Sequence, residues 1–306
     1  MLVPATDFQR LTEAPLPATA TSDLGLLALR HGDAQLIVDA ECGGAIRELS
    51  IARHHVLRPA PGSATTEPIE LACFPMVPYV NRIAGGRFQF GVRQVQLSKN
   101  WAHDPHPLHG QGWLGRWAVA QASVSTARLQ FEGGGDEWPW RYRAEQRFTL
   151  APDGLTIELS AENLGTGQMP LMLGLHPYFL NASRTRLQAR LPRVWRTDQA
   201  ALPLEEIGTP AGWGFDPARP VSAQPLDHCF AGWNGTATLY SPEQTIHLQA
   251  SNCSFLHIYA PAGRDFFCLE PQSAAGGVLG RGGPGVELVP PGERRAISLR
   301  ITVGPP

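Results

Sequence analysis

Short stretches in which apolar and polar residues alternate recur along this chain, and they constrain its fold more than any other feature. Leu155, Ile157 and Leu159 share one face of such a stretch, and residues 297–303 repeat the pattern near the C-terminus. A period of two places alternate side chains on opposite faces, as in a β-strand with one buried face. The pattern therefore predicts many short strands, and no segment of three or more turns shows a convincing helical period.

Glycine and proline separate these stretches at high density. The 306 residues include 32 Gly and 28 Pro, roughly a fifth of the chain where average usage is about 12%. Both residues are disfavoured inside helices and common in turns. Three hairpins are legible, pairing 35–39 with 46–51, 87–90 with 92–97, and 236–240 with 245–249. This spacing predicts a large antiparallel β-sandwich with one or two short helices.

The domain prediction is one β-sandwich over residues 23–306, preceded by a loosely ordered arm at 1–22 that is rich in Pro, Ala and Thr. The Pro/Gly-rich stretch 208–225 is interpreted as a surface loop, which could cover a binding cleft. No repeat of fixed period is evident, so the sequence disfavours propellers and solenoids.

Charge and composition exclude several classes of protein. With 25 basic and 27 acidic residues, the chain lacks the strongly basic character of nucleic-acid-binding domains. Lys99 is the only lysine, in an ordinary setting for a Schiff-base enzyme, and no P-loop motif is present. Five scattered cysteines predict buried thiols rather than disulfides or a cysteine-rich zinc site. We expect a cytoplasmic protein with no membrane partner, since neither a signal peptide nor an apolar span of bilayer length is found.

Four polar residues follow or interrupt apolar runs where a β-protein has little reason to place them. Glu270 ends the run 266–269, His176 follows the run 169–175, and His109 and Arg82 lie in short apolar contexts. A partly desolvated carboxylate is a stronger base, and a nearby imidazole can hold or release a proton near neutral pH. Each residue alone is more often structural, so only their combination predicts catalysis.

Two other groups of residues allow more than one interpretation. His103, His106 and His109 are spaced by three residues, which invites a metal site, but two intervening prolines prevent a helix that would align them. A polar sugar-binding loop with one functional histidine is favoured, and no metal is predicted. Tryptophans offer rings for sugar C–H faces or for the core at about equal odds: Trp113, Trp117, Trp138 and Trp140.

Together these residues resemble the aldose 1-epimerase (galactose mutarotase) family, in a divergent branch. The similarity covers nearly the whole chain, and five blocks occur in the family's order. They are Asn81-Arg82-Ile83 with Gly86-x-Phe88, Leu108-His109-Gly110 with Gly112-Trp113, His176-Pro177-Tyr178-Phe179, Asp227-x-x-Phe230, and Leu269-Glu270-Pro271-Gln272. The divergent features are Leu175-His176-Pro177, the Ser-Ala-Ala-Gly-Gly run after Gln272, and Phe74-Pro75-Met76-Val77-Pro78.

The resemblance implies a single β-supersandwich with an open sugar cleft that interconverts α and β anomers without metal or redox cofactor. It places the base at Glu270, the acid at His176 and a second active-site histidine at His109. Sugar ligands fall on Arg82 and Asp227, with Asn81 and Trp113 as further predicted substrate contacts.

Three alternatives remain open at this stage. One is a hexose 6-phosphate epimerase, for which Arg87, Arg93 and Arg116 lie near the matched blocks. Another is a non-catalytic sugar-binding protein on the same fold, since a fold does not fix function. The third is a metal enzyme built on the 103–109 histidines. The predicted partner is a small sugar, and the chain is expected to be a monomer or homodimer.

Overall fold

The computed structural model describes residues 25–62, 65–180, 183–279 and 283–306. Within these ranges the regular structure is almost entirely strand, with three short 3-10 helices and no α-helix. None of the described helices has the length and apolar character needed to cross a bilayer. The predicted N-terminal arm lies outside the described residues.

The described strands number 24, and the 3-10 helices are Pro68–Glu70, Ala84–Gly86 and Val221–Ala223. In chain order the strands are β1 (Leu26–His31), β2 (Ala34–Asp39), β3 (Ala45–Ile51), β4 (His54–His55), β5 (Cys73–Met76), β6 (Arg87–Phe90), β7 (Arg93–Gln96), β8 (Ala118–Ala122), β9 (Thr126–Gly133), β10 (Tyr142–Ala151), β11 (Gly154–Asn163), β12 (Met169–Leu171), β13 (Gly174–Leu180), β14 (Arg186–Ala189), β15 (Arg193–Thr197), β16 (Pro203–Gly208), β17 (Phe215–Pro220), β18 (Leu226–Ala231), β19 (Thr236–Tyr240), β20 (Thr245–Ser251), β21 (Phe255–Ala260), β22 (Phe266–Gln272), β23 (Glu287–Val289) and β24 (Arg294–Gly304).

Two large antiparallel sheets form the body of the protein. The first has eleven strands in the order β1-β2-β3-β5-β13-β22-β21-β18-β15-β16, with β4 beside β3. The second has nine, in the order β17-β14-β19-β20-β24-β11-β10-β9-β8, and two small sheets pair β12 with β23 and β6 with β7. One hydrophobic cluster joins residues of both large sheets, such as Leu36, Leu159, Leu269 and Leu299. The predicted antiparallel β-sandwich is confirmed.

The three predicted hairpins are β2–β3, β6–β7 and β19–β20. The predicted loop at 208–225 is wrong in part, because it contains β17 and the helix Val221–Ala223. β17 pairs only with β14 at the edge of the second sheet, where a proline such as Pro217 removes no ladder hydrogen bond from the sheet interior. None of its residues lines the cavity described below.

Alternation along β13 and β22 separates the core from the functional side of the larger sheet. Leu175 and Phe179 enter the core, whereas His176 and Tyr178 line a cavity on the opposite face. The register pairs Gly174 with Gln272 and Tyr178 with Cys268. The strand residues midway between these pairs, His176 and Glu270, are therefore neighbours by construction of the sheet.

Candidate active site

A cavity of about 250 Å³ opens on this face of the larger sheet. This volume lies just below the roughly 300–1,000 Å³ of pockets that take drug-sized ligands, which suits a ligand the size of a single sugar ring. Its polar lining residues are Asn81, Arg82, His109, His176, Asp227, His257 and Glu270. Six of the seven predicted site residues therefore lie together, although they come from positions 81 to 270 of the chain.

Glu270 and His176 form the chemical centre of the cavity. His176 Nε2 lies 3.2 Å from Glu270 Oε1, and Oε2 of Glu270 accepts a hydrogen bond from Gln272 Nε2 at 3.1 Å. Both residues are buried: His176 is 7% exposed and Glu270 is 2% exposed. Burial disfavours the charged form of each, raising the pKa of Glu270 to about 7 and lowering the pKa of His176 to about 3. At neutral pH the imidazole is therefore neutral and the carboxyl is poised to exchange a proton.

His109 is held by an unusual backbone contact with Asn81. Both residues have φ of 55°, a left-handed conformation in which Asn and His are enriched among non-glycine residues. The Asn81 backbone N–H donates to His109 Nδ1 at 3.2 Å, and the His109 N–H donates to the Asn81 carbonyl at 3.1 Å. Burial and the nearby His176 hold the pKa of His109 well below its ordinary value. Because Nδ1 accepts, the neutral ring carries its proton on Nε2 as a donor.

Arg82 enters the cavity as half of an ion pair. Its Nε donates to Asp104 Oδ2 at 2.7 Å, and its backbone N–H donates to Asn81 Oδ1 at 2.8 Å. The guanidinium is thus fixed in direction and its charge is largely compensated by Asp104. An arrangement of this kind suits hydrogen bonding to neutral oxygens better than capture of a free anion.

His257 is a cavity residue that the sequence analysis did not single out. Its Nε2 lies 2.8 Å from Asp227 Oδ1, and the β21–β22 register places it directly opposite Glu270. Burial would raise the pKa of Asp227, but the hydrogen bond and charge of His257 outweigh this effect and lower it. The side chain of Asp227 remains 40% exposed, so a carboxylate oxygen is available to a ligand.

Aromatic rings form the walls of the cavity, but they are not the rings that the sequence suggested. Phe74, Trp101, Tyr178, Tyr259 and Phe266 line it. Phe74 also stacks on His176, with ring centroids 4.4 Å apart.

Trp113 lies behind the site rather than in it, which corrects the prediction of a direct sugar contact. It is fully buried, donates Nε1–H to the Leu108 carbonyl at 3.0 Å and packs edge-on against His109. Trp117, Trp138 and Trp140 are buried in the core as well. All four tryptophans named from the sequence therefore pack in the core, and none of them lines the cavity.

The donor chemistry of the site does not favour a metal ion. Among the described residues one group of candidate metal ligands lies close together, His176, Cys268 and Glu270, whose ligand atoms are within 4.8 Å of one another. Metal ligands must be deprotonated, and burial raises the pKa of the Cys268 thiol well above its ordinary value. His103 and His106 point elsewhere, since His103 packs on Trp101 and His106 Nδ1 accepts from the Gly85 N–H.

A second cavity of about 290 Å³ lies on the opposite side of β13, beside Phe179 and Phe267. Its one carboxylate, Glu243, is engaged by Arg184 at 3.1 Å. It offers no carboxylate in contact with a buried imidazole, an arrangement that the first cavity has in Glu270 and His176.

The signal for His257 was present in the sequence. It interrupts the apolar strand Phe255-Leu256-His257-Ile258-Tyr259 in the same way as His176 interrupts its own. No such signal exists for Trp101, which lines the cavity, or for Asp104, which pairs with Arg82. Both lie in an irregular segment, and only the tertiary fold brings them to these positions.

Known proteins are similar to this chain over most of its length. The family model described as aldose 1-epimerase matches residues 25–302. The Escherichia coli K12 protein YphB, uncharacterized, is 34% identical over 261 residues, covering 82% of this chain and 88% of its own. A second uncharacterized protein of that strain, YihR, is 25% identical over 250 residues, covering 76% and 78%.

Solved structures show the same fold. A crystal structure from Escherichia coli K12, described as a candidate aldose 1-epimerase, superposes with a TM-score of 0.85 at 32% identity and covers 92% of this chain and 99% of that one. A galactose mutarotase-like protein from Clostridium acetobutylicum gives 0.81 at 18% identity, covering 92% and 95%. The chain therefore belongs to the aldose 1-epimerase family.

Proposed function

We propose that this protein is a mutarotase that interconverts the α and β anomers of a neutral aldohexose such as galactose or glucose. The observation that carries the proposal is the contact between Glu270 and His176 at 3.2 Å, inside a cavity of one-ring size. Anomer exchange needs a group that removes a proton from the C1 hydroxyl and a group that delivers one to the ring oxygen. A carboxylate with a pKa of about 7 and an adjoining imidazole supply both near neutral pH.

The proton transfers balance within this pair. Ionised Glu270 takes the proton of the C1 hydroxyl, the bond from C1 to the ring oxygen breaks, and the ring oxygen takes the proton of His176 Nε2. Protonated Glu270 lies next to that nitrogen and returns a proton to it, so the pair ends as it began. Rotation about the C1–C2 bond and the reverse steps close the other anomer. A neutral imidazole is a competent donor for such a step.

The remaining polar groups are assigned to binding. The Nε2–H of His109 and the guanidinium of Arg82 would donate to sugar oxygens and steady the charge that develops on the ring oxygen. Asp227 would accept from ring hydroxyls, and Asn81 would hold the loop that carries His109. Aromatic walls such as Trp101 and Phe266 would contact the C–H faces of the ring.

The positions of the arginines favour a neutral sugar over a hexose 6-phosphate. Arg87 bonds to Gln96 on an exposed hairpin, Arg93 lies over the Trp140 ring, and Arg116 pairs with Glu41 at 2.8 Å. None of the three lines the cavity. Arg82 is the one arginine among the described residues that lines the cavity, and it is already paired with Asp104.

A non-catalytic sugar-binding protein is the second candidate. The pair of Glu270 and His176 argues against it, because burying an acid–base pair is costly and simple binding does not require one. We also propose a cytoplasmic location, since all five cysteines are free thiols, and a monomer or homodimer with no cofactor.

The proposal is tested by following anomer exchange with saturation-transfer NMR across free and 6-phosphorylated aldoses. We expect the protein to accelerate exchange of a free aldohexose. Binding of every sugar without accelerated exchange would move the assignment to a sugar-binding protein.

A further inference from the structure

His257 occupies the position between the two carboxylates of the cavity. β21 carries it between β18 on one side and β22 on the other, and the registers pair it with Cys229 and with Glu270. Its ring is buried, at 4% exposure, and it lines the same cavity as the catalytic pair. The mechanism proposed above gives it no proton to move, so its placement needs another reason.

The groups that face His257 come from every element packed around it. They are Asp227 and Cys229 on β18, Glu270 on β22, His176 on β13, Tyr259 on its own strand, and Asn81, Arg82 and His109 from the two cavity loops. Asp227 and Glu270 supply the negative charge. Burial alone would lower the pKa of His257, but these two carboxylates and the Cys229 contact raise it well above its ordinary value.

We propose that His257 is a positioning residue that carries a positive charge between Asp227 and Glu270, keeping Glu270 ionised near neutral pH and holding Asp227 for the sugar. The inference rests on the proposed function of the Glu270 and His176 pair. It assigns the ring a charge rather than a share in proton transfer, and it makes the site a chain of alternating charge from Asp227 through His257 to Glu270.

The contact between Asn81 and His257 opposes the charged form of His257, but it is weaker than the bond from His257 to Asp227. Asn81 Nδ2 lies 3.4 Å from His257 Nδ1, and its amide is turned that way because Oδ1 accepts from Arg82. A donor facing Nδ1 favours a neutral ring. However, a long contact between neutral groups is weaker than the 2.8 Å charge-assisted bond to Asp227, since ionised partners roughly double the strength of a hydrogen bond. The two carboxylates therefore decide the charge.

The variant His257→Gln tests the proposal, because glutamine keeps a donor for Asp227 and removes the charge. The carboxyl carbon of Glu270 is titrated by NMR in the absence of sugar, in the wild type and in the variant. We expect its midpoint to move upward by roughly 1–3 pH units, the usual effect of a nearby opposite charge. The acid limb of kcat/KM should move by the same amount, with kcat recovering at high pH.

His228→Gln is the matched control. His228 is the neighbouring histidine on β18, stacks on Trp213 at 4.5 Å and does not line the cavity, so its replacement should leave both midpoints in place. Loss of activity that is uniform across pH in His257→Gln, with an unmoved Glu270 midpoint, would show a merely structural role and overturn the proposal.

A measurement on the wild type keeps the test independent of the variant's folding. The ¹⁵N shifts of His257 at pH 7 should show both ring nitrogens protonated, and an unprotonated Nδ1 would contradict the proposal. Neither NMR experiment uses sugar. A moved midpoint without anomer exchange would therefore refute the proposed function alone, whereas exchange with an unmoved midpoint would refute only the role of His257.

Discussion

Replacing Glu270 by glutamine should make the protein more stable at alkaline pH while abolishing most of its activity. Glutamine resembles the protonated carboxyl, so the variant removes the cost of ionising a buried acid. That carboxyl is 2% exposed, and its pKa is raised by burial from 4.5 to about 7. A raised carboxyl pKa means that the folded state resists ionisation that the unfolded chain accepts freely.

The size and sign of the effect follow from the two pKa values. Below pH 4.5 both states are protonated and Glu270 contributes no pH-dependent term. Between pH 4.5 and about 7 the unfolded state ionises first, so wild-type stability falls as pH rises. At 1.36 kcal/mol for each pH unit, the loss is about 3 kcal/mol, an upper value because glutamine bonds less strongly to Gln272 and His176. The variant should regain this amount at pH 8 and almost none at pH 4.

Denaturant unfolding at pH 4 and pH 8 measures the difference directly. Glu145→Gln is the matched control, because Glu145 is also buried but bonds to Gln130 and pairs with Arg294 and Arg128, which outweigh burial and lower its pKa. That substitution should destabilise the protein at pH 8. A Glu270→Gln variant that is less stable than the wild type at pH 8 would refute the argument that burial sets the basicity of Glu270.

Three further predictions concern the same cavity. In the wild type kcat/KM should rise with pH through about 7 as Glu270 ionises, and a profile that is flat from pH 5 to pH 9 would contradict the assigned base. Asp227→Asn should raise KM roughly tenfold to a hundredfold, since a hydrogen bond to a charged group contributes about 1.5–3 kcal/mol, and an unchanged KM would remove Asp227 from sugar binding. Gly110→Ala should cost roughly 1–3 kcal/mol of stability and displace His109, because Gly110 has φ of 79° and an added Cβ would collide with the Val77 carbonyl; unfolding curves that match the wild type would disprove this.

The strands could be predicted from sequence because their information is local. Alternation in 155–159 and 297–303 reports burial on one face, and these segments lie in β11 and β24 of the second sheet. The prediction of a loop at 208–225 was wrong in part because prolines are common in loops, but an edge strand such as β17 tolerates them equally well.

The site was predictable only where a polar residue interrupts an apolar strand. Glu270 and His176 carry that mark, and His257 carries it too but belongs to no block of the family resemblance. The contact between Asn81 and His109 joins residues 28 positions apart through two left-handed backbones, which no periodicity encodes. Trp113 belongs to a block of the family resemblance and Trp101 to none, yet the tertiary fold puts Trp113 behind the site and Trp101 in its wall.

The central claim is most directly tested by the rate of anomer exchange in free galactose and glucose, measured by saturation-transfer NMR with the wild type and with Glu270→Gln side by side. A positioned base is worth roughly 10²–10⁴ in rate. We therefore expect the wild type to accelerate exchange of at least one sugar and the folded variant to lose that factor. Equal exchange rates in the two proteins would contradict the assignment of Glu270 as the base.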